Sequence, residues 1–554
     1  DAIISFLFFR IEGGPLGGNY AAFEELCQQM NIPLINYVSM GFSTLDDWRQ
    51  RDEGMYPMET NLCTILPELD GQIEGVLIAG GEEPPKKGRN MVRVMTPVEE
   101  RVDHAVARTA KWLKLKYKAN KDKKVAFILF NYPPGKDTIG SAGNLSTFDS
   151  LIKLLDRMRE EGYTVSGYPR TRHEFIRLIT KKNVVNQSNW TALTKVKENS
   201  FTVPLQDYNE WFAELPEKCR EEMVESWGDP PGSLMADEEN LFVPGLQFGN
   251  IFIGFQPARG VHADPSKTYH DTALPPHHQY FAFYRFVERV FDADVAIHFG
   301  THGTLEFLPG KHVALSESCF PDIFMGSMPH LYLYTCRNPS EAMLAKRRTY
   351  AALVDYMTPP MIVSDLYGTF AEMETDIHNY YHFVEQSPAR AKELKEKILN
   401  DAKENNLVDI EAEDIDINKL YNDLSEMKGS MMTKGVHVMG RSLTGDELVD
   451  YVLGIVRFDR GEISSVHKSL AVGHGLDWED IRTNPSKVLK GGKLAGVVCD
   501  QINQEARSLL SETLIGKLPV KKAIKKHVKK KLGKEVSKNL VETLEFSLDL
   551  GGNL

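Results

Sequence analysis

The stretch VAIHFGTHGTLEFLPGKH brings His298, His302, Glu306, Lys311 and His312 into eighteen residues. Imidazole binds borderline divalent metals and titrates near neutrality, and a carboxylate beside it can take a proton or hold a cation. The chemistry within reach is metal handling, acid–base catalysis, or both. Seven of the sixteen histidines (His262, His270, His277, His278, His298, His302 and His312) fall between residues 262 and 312. The local pattern leaves two readings open: a metal site, or a tight turn whose histidines each satisfy a separate loop. His262 and His270 fit the second reading, and the pair His298 and His302 fits the first.

These residues need elements to position them. VAIH is predicted to be a buried strand with His298 at its carboxyl end, the edge where open α/β sheets bind ligands. Gly300 and Gly303 allow a tight turn and close backbone approach. A helical turn starting near Gly303 would set His302 and Glu306 about one turn apart, facing one cavity. Downstream, NPSEAMLAKRRTYAALVDYMTPP predicts a helix over 339–356, with Asn338 as cap and Pro339 at its first position. Its Lys346, Arg347 and Arg348 could meet substrate carboxylates or neighbouring acids; the spacing leaves both open. Upstream, NYPPGKDTIGSAGNLSTFDSL looks like an anion-binding loop before a helix. It is not a Walker loop: Lys136 is followed by Asp137, and no GxxxxGK[ST] occurs. No GxSxG elbow is present either.

The fold class expected is α/β and multidomain: Rossmann-like parallel sheets flanked by helices, with a largely helical C-terminal region. Residues 1–96 read as an N-terminal α/β domain, with strands in IISFLFF, PLINYVS and EGVLIAGG. Residues 97–363 read as a core α/β domain, with strands in KVAFILFN, YTVSGY, NIFIGFQP, DVAIHFG, HLYLYTC and MIVSDL and a polar helical stretch over 170–240. Residues 364–432 read as helical, and 433–554 as mainly helical after a strand in KGVHVMG. A net charge of −12 disfavours nucleic acid as a whole-surface partner, and KLPVKKAIKKHVKKKLGK reads as a solvated or partner-facing surface. No apolar run approaches the ~18 residues of a membrane span, so a cytoplasmic protein is expected. The six cysteines include no CxxC pair, and reduced thiols are expected. Opening on Asp1 directly into an apolar strand suggests a fragment of a longer chain.

Four long segments, YPPGKDTIGSAGNLSTFDSL, GNIFIGFQPARG, LPPHHQYFAFYRFVERVFDADVAIHFGTHGTLEFLPGKHVALSESCFPD and NPSEAMLAKRRTYAALVDYMTPP, resemble the large-subunit family of cobaltochelatase (CobN) and magnesium chelatase (H subunit). The resemblance implies insertion of a divalent metal into a tetrapyrrole. ATP and its Mg²⁺ would sit on separate AAA+ partners, CobS/CobT-like or ChlI/ChlD-like, which suits the absence of a Walker motif. It further implies Glu306 as base or transient metal ligand, and His298 and His302 as metal ligands or proton relay. His277 and His278 would support the substrate, while Arg259, Lys311, Lys346, Arg347 and Arg348 would hold its carboxylate-bearing periphery. QPARG and LPPHHQYFAFYRF are similar to the cobalt branch, and GTHGTLEF to the magnesium branch. Histidine-rich chemistry favours Co²⁺ as substrate metal, inserted into a corrin precursor of the hydrogenobyrinic acid a,c-diamide type; Mg²⁺ into protoporphyrin IX is the alternative. A non-catalytic tetrapyrrole sensor and a stand-alone His/Glu metallohydrolase are the other readings.

Overall fold

The computed structural model describes residues 1–12, 18–82, 94–131, 139–140, 142–184, 193–259, 271–364, 366–527 and 534–553. His262, His270 and most of the YPPGKDTIGSAG loop lie outside the described residues. Two compact units result: Asp1–Thr358 with His437–Gly440, and Pro359–Val436 with Arg441–Leu554.

The first unit contains two sheets. β1 (Ile3–Ser5), β2 (Leu34–Thr44), β3 (Ile73–Glu82) and β4 (Val94–Pro97) form a four-stranded sheet in chain order, parallel except for β4. The larger sheet joins β5 (Val125–Leu129), β6 (Ser200–Pro204), β7 (Asn240–Gln247), β8 (Ile251–Phe255), β9 (Val295–His298), β10 (His330–Thr335) and β11 (Ala352–Tyr356) in the order β11-β10-β9-β5-β8-β7-β6. β11 to β8 run parallel; β7 is antiparallel to β8, and β6 is antiparallel to β7. β5 and β8 are buried along their whole length because apolar layers cover both faces. One layer gathers around Tyr280, Phe281, Tyr284 and Phe324, the other around Phe148, Leu151, Leu155 and Phe175.

The second unit is built mainly of helices. Thr369–Gln386, Pro388–Glu404 and Ile417–Gly429 share a core of Met373, Ile377, Ile398, Leu420 and Leu424. Gly445–Val456, Val466–Gly473, Ala495–Leu514 and Lys534–Asn553 share another, around Val449, Val452, Leu470, Ile502 and Leu509. No helix among the described residues is long and apolar enough to cross a membrane. All six cysteines are free thiols.

Several elements differ from the sequence reading. The helix expected over 339–356 stops at Thr349; Tyr350 turns to φ +53° and Ala352–Tyr356 becomes edge strand β11. MIVSDL supplies β12 (Met361–Val363), which pairs with β13 (Met431–Thr433) in the second unit rather than joining the large sheet. KGVHVMG makes only an isolated bridge from His437 to Leu145, and YTVSGY forms no ladder, with Gly167 at φ +74°. The stretch expected to be helical over 170–240 also contains β6.

Candidate functional site

Because β8, β5, β9 and β10 are parallel, their carboxyl ends share one sheet edge. The loop leaving β9 is fastened there. Phe299 N donates to Ile128 O at 2.9 Å, and Thr301 Oγ1 accepts from Thr335 N at 2.7 Å and from the Tyr356 hydroxyl at 3.0 Å. Gly303 is required by close approach: a Cβ there would lie 2.4 Å from the Tyr332 hydroxyl oxygen and 3.4 Å from Glu306 Oε2. A short 3₁₀ turn, Leu305–Phe307, then carries Glu306 inward.

Glu306 is 1% exposed. Its Oε1 accepts from the Tyr332 hydroxyl at 3.1 Å, while Oε2 is buried without a hydrogen-bond partner. Burial pushes its carboxyl up to about 7. The Tyr332 hydroxyl and the Gly303 and Glu306 amides offset only part of that penalty, and the amides do so without a well-formed hydrogen bond to Oε2. The group therefore exchanges a proton near neutral pH. Tyr332→Phe removes a donor that favours the anion, so the carboxyl should titrate higher still. An infrared titration of the protonated-carboxyl band, referenced to Glu306→Gln, checks this; an unmoved midpoint contradicts it.

His298 is held differently. His330 Nδ1 lies 3.0 Å from Thr349 O, a carbonyl that can only accept, so the His330 proton sits on Nδ1. Burial pushes the His330 imidazole down to about 3, so its Nε2 is a lone pair, and His298 Nδ1–H donates to it at 2.6 Å. Burial, with His330 adjacent, also holds His298 neutral. Its Nε2 accepts from the Tyr284 hydroxyl at 2.9 Å, which accepts from Gln256 Nε2 at 2.7 Å. Gln256 Oε1 accepts from Thr304 N and Oγ1 at 2.8 and 3.0 Å, and the Tyr280 hydroxyl donates to Thr304 Oγ1 at 2.9 Å. The carbonyl at one end fixes every proton along the chain, so both nitrogens of His298 are committed.

His302 is partly exposed. Its Nδ1 lies 2.6 Å from Glu341 Oε2 and 3.1 Å from the Tyr334 hydroxyl. Glu341, at the start of helix Pro339–Thr349, also accepts from Tyr334 and from Asn338 Nδ2, at 3.1 and 2.8 Å. Tyr332 and Tyr334 thus link Glu306 to the His302–Glu341 pair. The expected three-ligand set of His298, His302 and Glu306 is not assembled. Among the described residues no three His, Cys, Asp or Glu side chains converge as a metal site, and the one ring lone pair of His298, on Nε2, already accepts from Tyr284 while its Nδ1–H is donated to His330.

The residues expected at the substrate periphery sit elsewhere or serve the fold. Lys311 Nζ is buried against the carbonyls of Trp48 and Arg51, at 2.7 and 2.6 Å. Arg347 grips Glu68 with two bonds, of 3.1 and 2.7 Å. Lys346 lines a small recess with Glu68 and Gln72, and burial lowers its pKa. His277 caps helix His278–Arg285 by accepting from Tyr280 N, with its Nε2 2.6 Å from Ala258 O. His278 lies between the Tyr208 hydroxyl and Gly228 O at 2.7 and 2.8 Å. Arg259 and Arg348 hold the loop that follows Glu306: both donate to carbonyls of the Phe307–Gly310 segment. Sequence reasoning missed Gln256, Tyr284, His330, Tyr332, Tyr334 and Glu341. A signal existed in HLYLYT, whose alternate positions 330, 332 and 334 share one face of a strand.

Comparison with known proteins follows the same direction. A family model described as CobN/Magnesium Chelatase matches residues 1–549. The magnesium-chelatase subunit ChlH, chloroplastic, of Oryza sativa subsp. indica is 32% identical over 530 residues, covering 92% of this chain and 36% of that protein. The aerobic cobaltochelatase subunit CobN of Pseudomonas aeruginosa is 32% identical over 493 residues, covering 87% and 38%. The catalytic subunit of cobaltochelatase from Mycobacterium tuberculosis has a similar structure, with a TM-score of 0.80 at 25% identity, covering 98% of this chain and 45% of that one. The chain thus spans less than half the length of these relatives.

Proposed function

Because the chain belongs to the CobN/magnesium chelatase family, we propose that it is the tetrapyrrole-binding catalytic part of a metal chelatase large subunit. Inserting M²⁺ into the ring releases two pyrrole protons, so a base that titrates near neutral pH is needed close to the ring nitrogens. The buried carboxyl of Glu306, with one oxygen unpartnered, carries the reading. In this mechanism Glu306 takes one pyrrole proton while Tyr332 steadies the carboxylate, and the second leaves to water on the partly exposed His302–Glu341 side. The more open His302–Glu341 pair steers the incoming metal and releases it to the ring. His298 positions Gln256 and Thr304 rather than binding metal. Arg259 and Arg348 brace the loop behind Glu306. AAA+ partners supply ATP hydrolysis.

We place Co²⁺ and a corrin precursor first, because an imidazole stands at the mouth of the site and magnesium prefers all-oxygen surroundings. The oxygen-rich set of Glu306, Tyr332, Tyr334 and Glu341 supports a second reading, Mg²⁺ into protoporphyrin IX. Absorbance titration with each tetrapyrrole, then with Co²⁺ or Mg²⁺ plus ATPase partners, separates the two. Failure to bind either ring removes both. Only the ionised Glu306 accepts a proton, so single-turnover insertion should fall about tenfold per pH unit below pH 7 and level off above it. A flat profile from pH 5.5 to 8 would remove that group from the rate.

A further inference from the structure

The lysine-rich run KLPVKKAIKKHVKKKLGK supplies a helix of the second unit, Val520–His527, whose two sides differ. Ala523 and Ile524 are buried in the core that also holds Leu509, Leu510 and Leu544. Lys521, Lys522, Lys525 and Lys526 fall on the other side, within about 140° of the helix circumference, and all four are exposed. Lys517, in the turn before the helix, is exposed too. Lys526 pairs with Glu512 at 2.5 Å. Among the described residues no carboxylate pairs with Lys517, Lys521, Lys522 or Lys525. Elsewhere in this unit Lys395, Lys428, Lys434 and Lys468 each meet an aspartate.

This charge pattern works against the helix that carries it. Lys521 and Lys522 occupy the first turn, which holds no acid, and the positive end of the helix dipole disfavours cations there. Lys521 with Lys525, and Lys522 with Lys526, are like charges four residues apart, which repel along one face. Departures from local preference of this kind concentrate at functional sites. The chemistry of the face selects the partner. Residues 517–538 carry ten lysines against one acid, Glu535, with no arginine, Phe, Tyr or Trp, in a chain of net charge −12. Arginine forks grip phosphate at two points and aromatic rings stack on bases, so a face with neither is poorly equipped for nucleic acid. Its apolar side is committed to the core, which leaves no face to enter a lipid surface. An extended polyanion would also meet the acidic remainder of the chain. Strongly hydrated ammonium groups on flexible stems fit separate carboxylates on a short acidic segment.

We propose that this helix face docks an acidic segment of a partner protein, whose carboxylates lie on Lys521, Lys522 and Lys525; the inference stands apart from the chelatase reading. Fluorescence anisotropy of the chain with labelled deca-glutamate tests it, beside an oligothymidylate of equal charge and vesicles of equal parts phosphatidylserine and phosphatidylcholine. Deca-glutamate should bind at micromolar concentrations in ~50 mM salt and at least roughly tenfold more weakly in ~300 mM. Lys521→Glu/Lys522→Glu/Lys525→Glu should weaken it at least about tenfold. Lys392→Glu/Lys419→Glu/Lys490→Glu makes the same change in net charge at exposed lysines elsewhere in the unit, and should alter affinity by less than about threefold. The unaltered chain gives an independent reading: deca-glutamate should shield Lys521, Lys522 and Lys525 from acetylation by an N-hydroxysuccinimide ester and leave Lys392 and Lys419 reactive. Absent binding, tighter binding of the oligothymidylate or the vesicles, equal loss in the two triple variants, or no shielding at saturation would each overturn the proposal. Self-association of the chain that the first reversal abolishes would put a second copy on this face and overturn it as well.

Discussion

Replacing Glu306 with glutamine should lower single-turnover metal insertion by about 10²–10⁴-fold while changing tetrapyrrole affinity by less than about tenfold. Glutamine keeps the shape, and its amide oxygen can still accept from Tyr332, so the loop from Gly303 to Phe307 has little reason to move. What is lost is the capacity to take a proton. The substitution should not weaken the fold. Burial raises the carboxyl from 4.5 to about 7, so between those values the folded chain holds a proton that the unfolded chain has released. Stability from this group therefore falls as pH rises through that window, and at pH 8 the native protein carries a costly buried carboxylate. The glutamine variant has no such cost, so it should melt at the same temperature or higher at pH 8. Loss of insertion with intact binding and an undiminished melting temperature assigns Glu306 to the chemistry. Insertion at the native rate would exclude it.

How far the site was legible depends on what each residue's signal was made of. VAIH reads as a buried strand because four apolar or aromatic neighbours precede a glycine turn, and β9 lies there with His298 at its carboxyl end. The same logic failed for AALVDY. A capped, proline-started helix runs into it, and only the αL turn at Tyr350 and pairing with β10 convert it into a strand. A tertiary partner decided that segment, and local propensity could not. The histidine cluster divided for a similar reason. His277 and His278 are close in sequence to a helix start whose amides and aromatic neighbours consume them, while His330 and Tyr332 come from the next parallel strand. Neighbours across a parallel sheet are separated by a whole crossover, so sequence spacing does not reveal them. Positive charge near a site motif says nothing about direction: Lys311 and Arg347 both point toward the N-terminal sheet and its loops.

That N-terminal sheet provides the second large expected effect. Glu74, on β3, sits in the left-handed region at φ +65° and is 3% exposed, and Arg108, on helix Glu99–Tyr117, is 1% exposed. They form a two-point pair, with Arg108 Nη2 at 3.0 Å from Glu74 Oε1 and Nε on Oε2. Trp112 Nε1 donates to the same Oε1 at 2.7 Å, Arg108 Nη1 reaches the Gly326 carbonyl, and the guanidinium lies 4.4 Å over the Tyr350 ring. One buried charge pair thus joins β3, the helix beside it and two turns of the larger domain core. Glu74→Gln should cost about 3–5 kcal/mol, since it leaves a guanidinium buried without its counter-charge. Because the chain has more than one compact unit, local hydrogen exchange is the better measure. Amides of β3 and of helix Glu99–Tyr117 should exchange roughly 10²–10⁴-fold faster, with helix Ala495–Leu514 unchanged. The double variant Glu74→Leu/Arg108→Met should recover most of the loss, because apolar groups of similar volume need no counter-charge. If the single and double variants exchanged alike, the lost stability would belong to packing around the helix rather than to the ion pair.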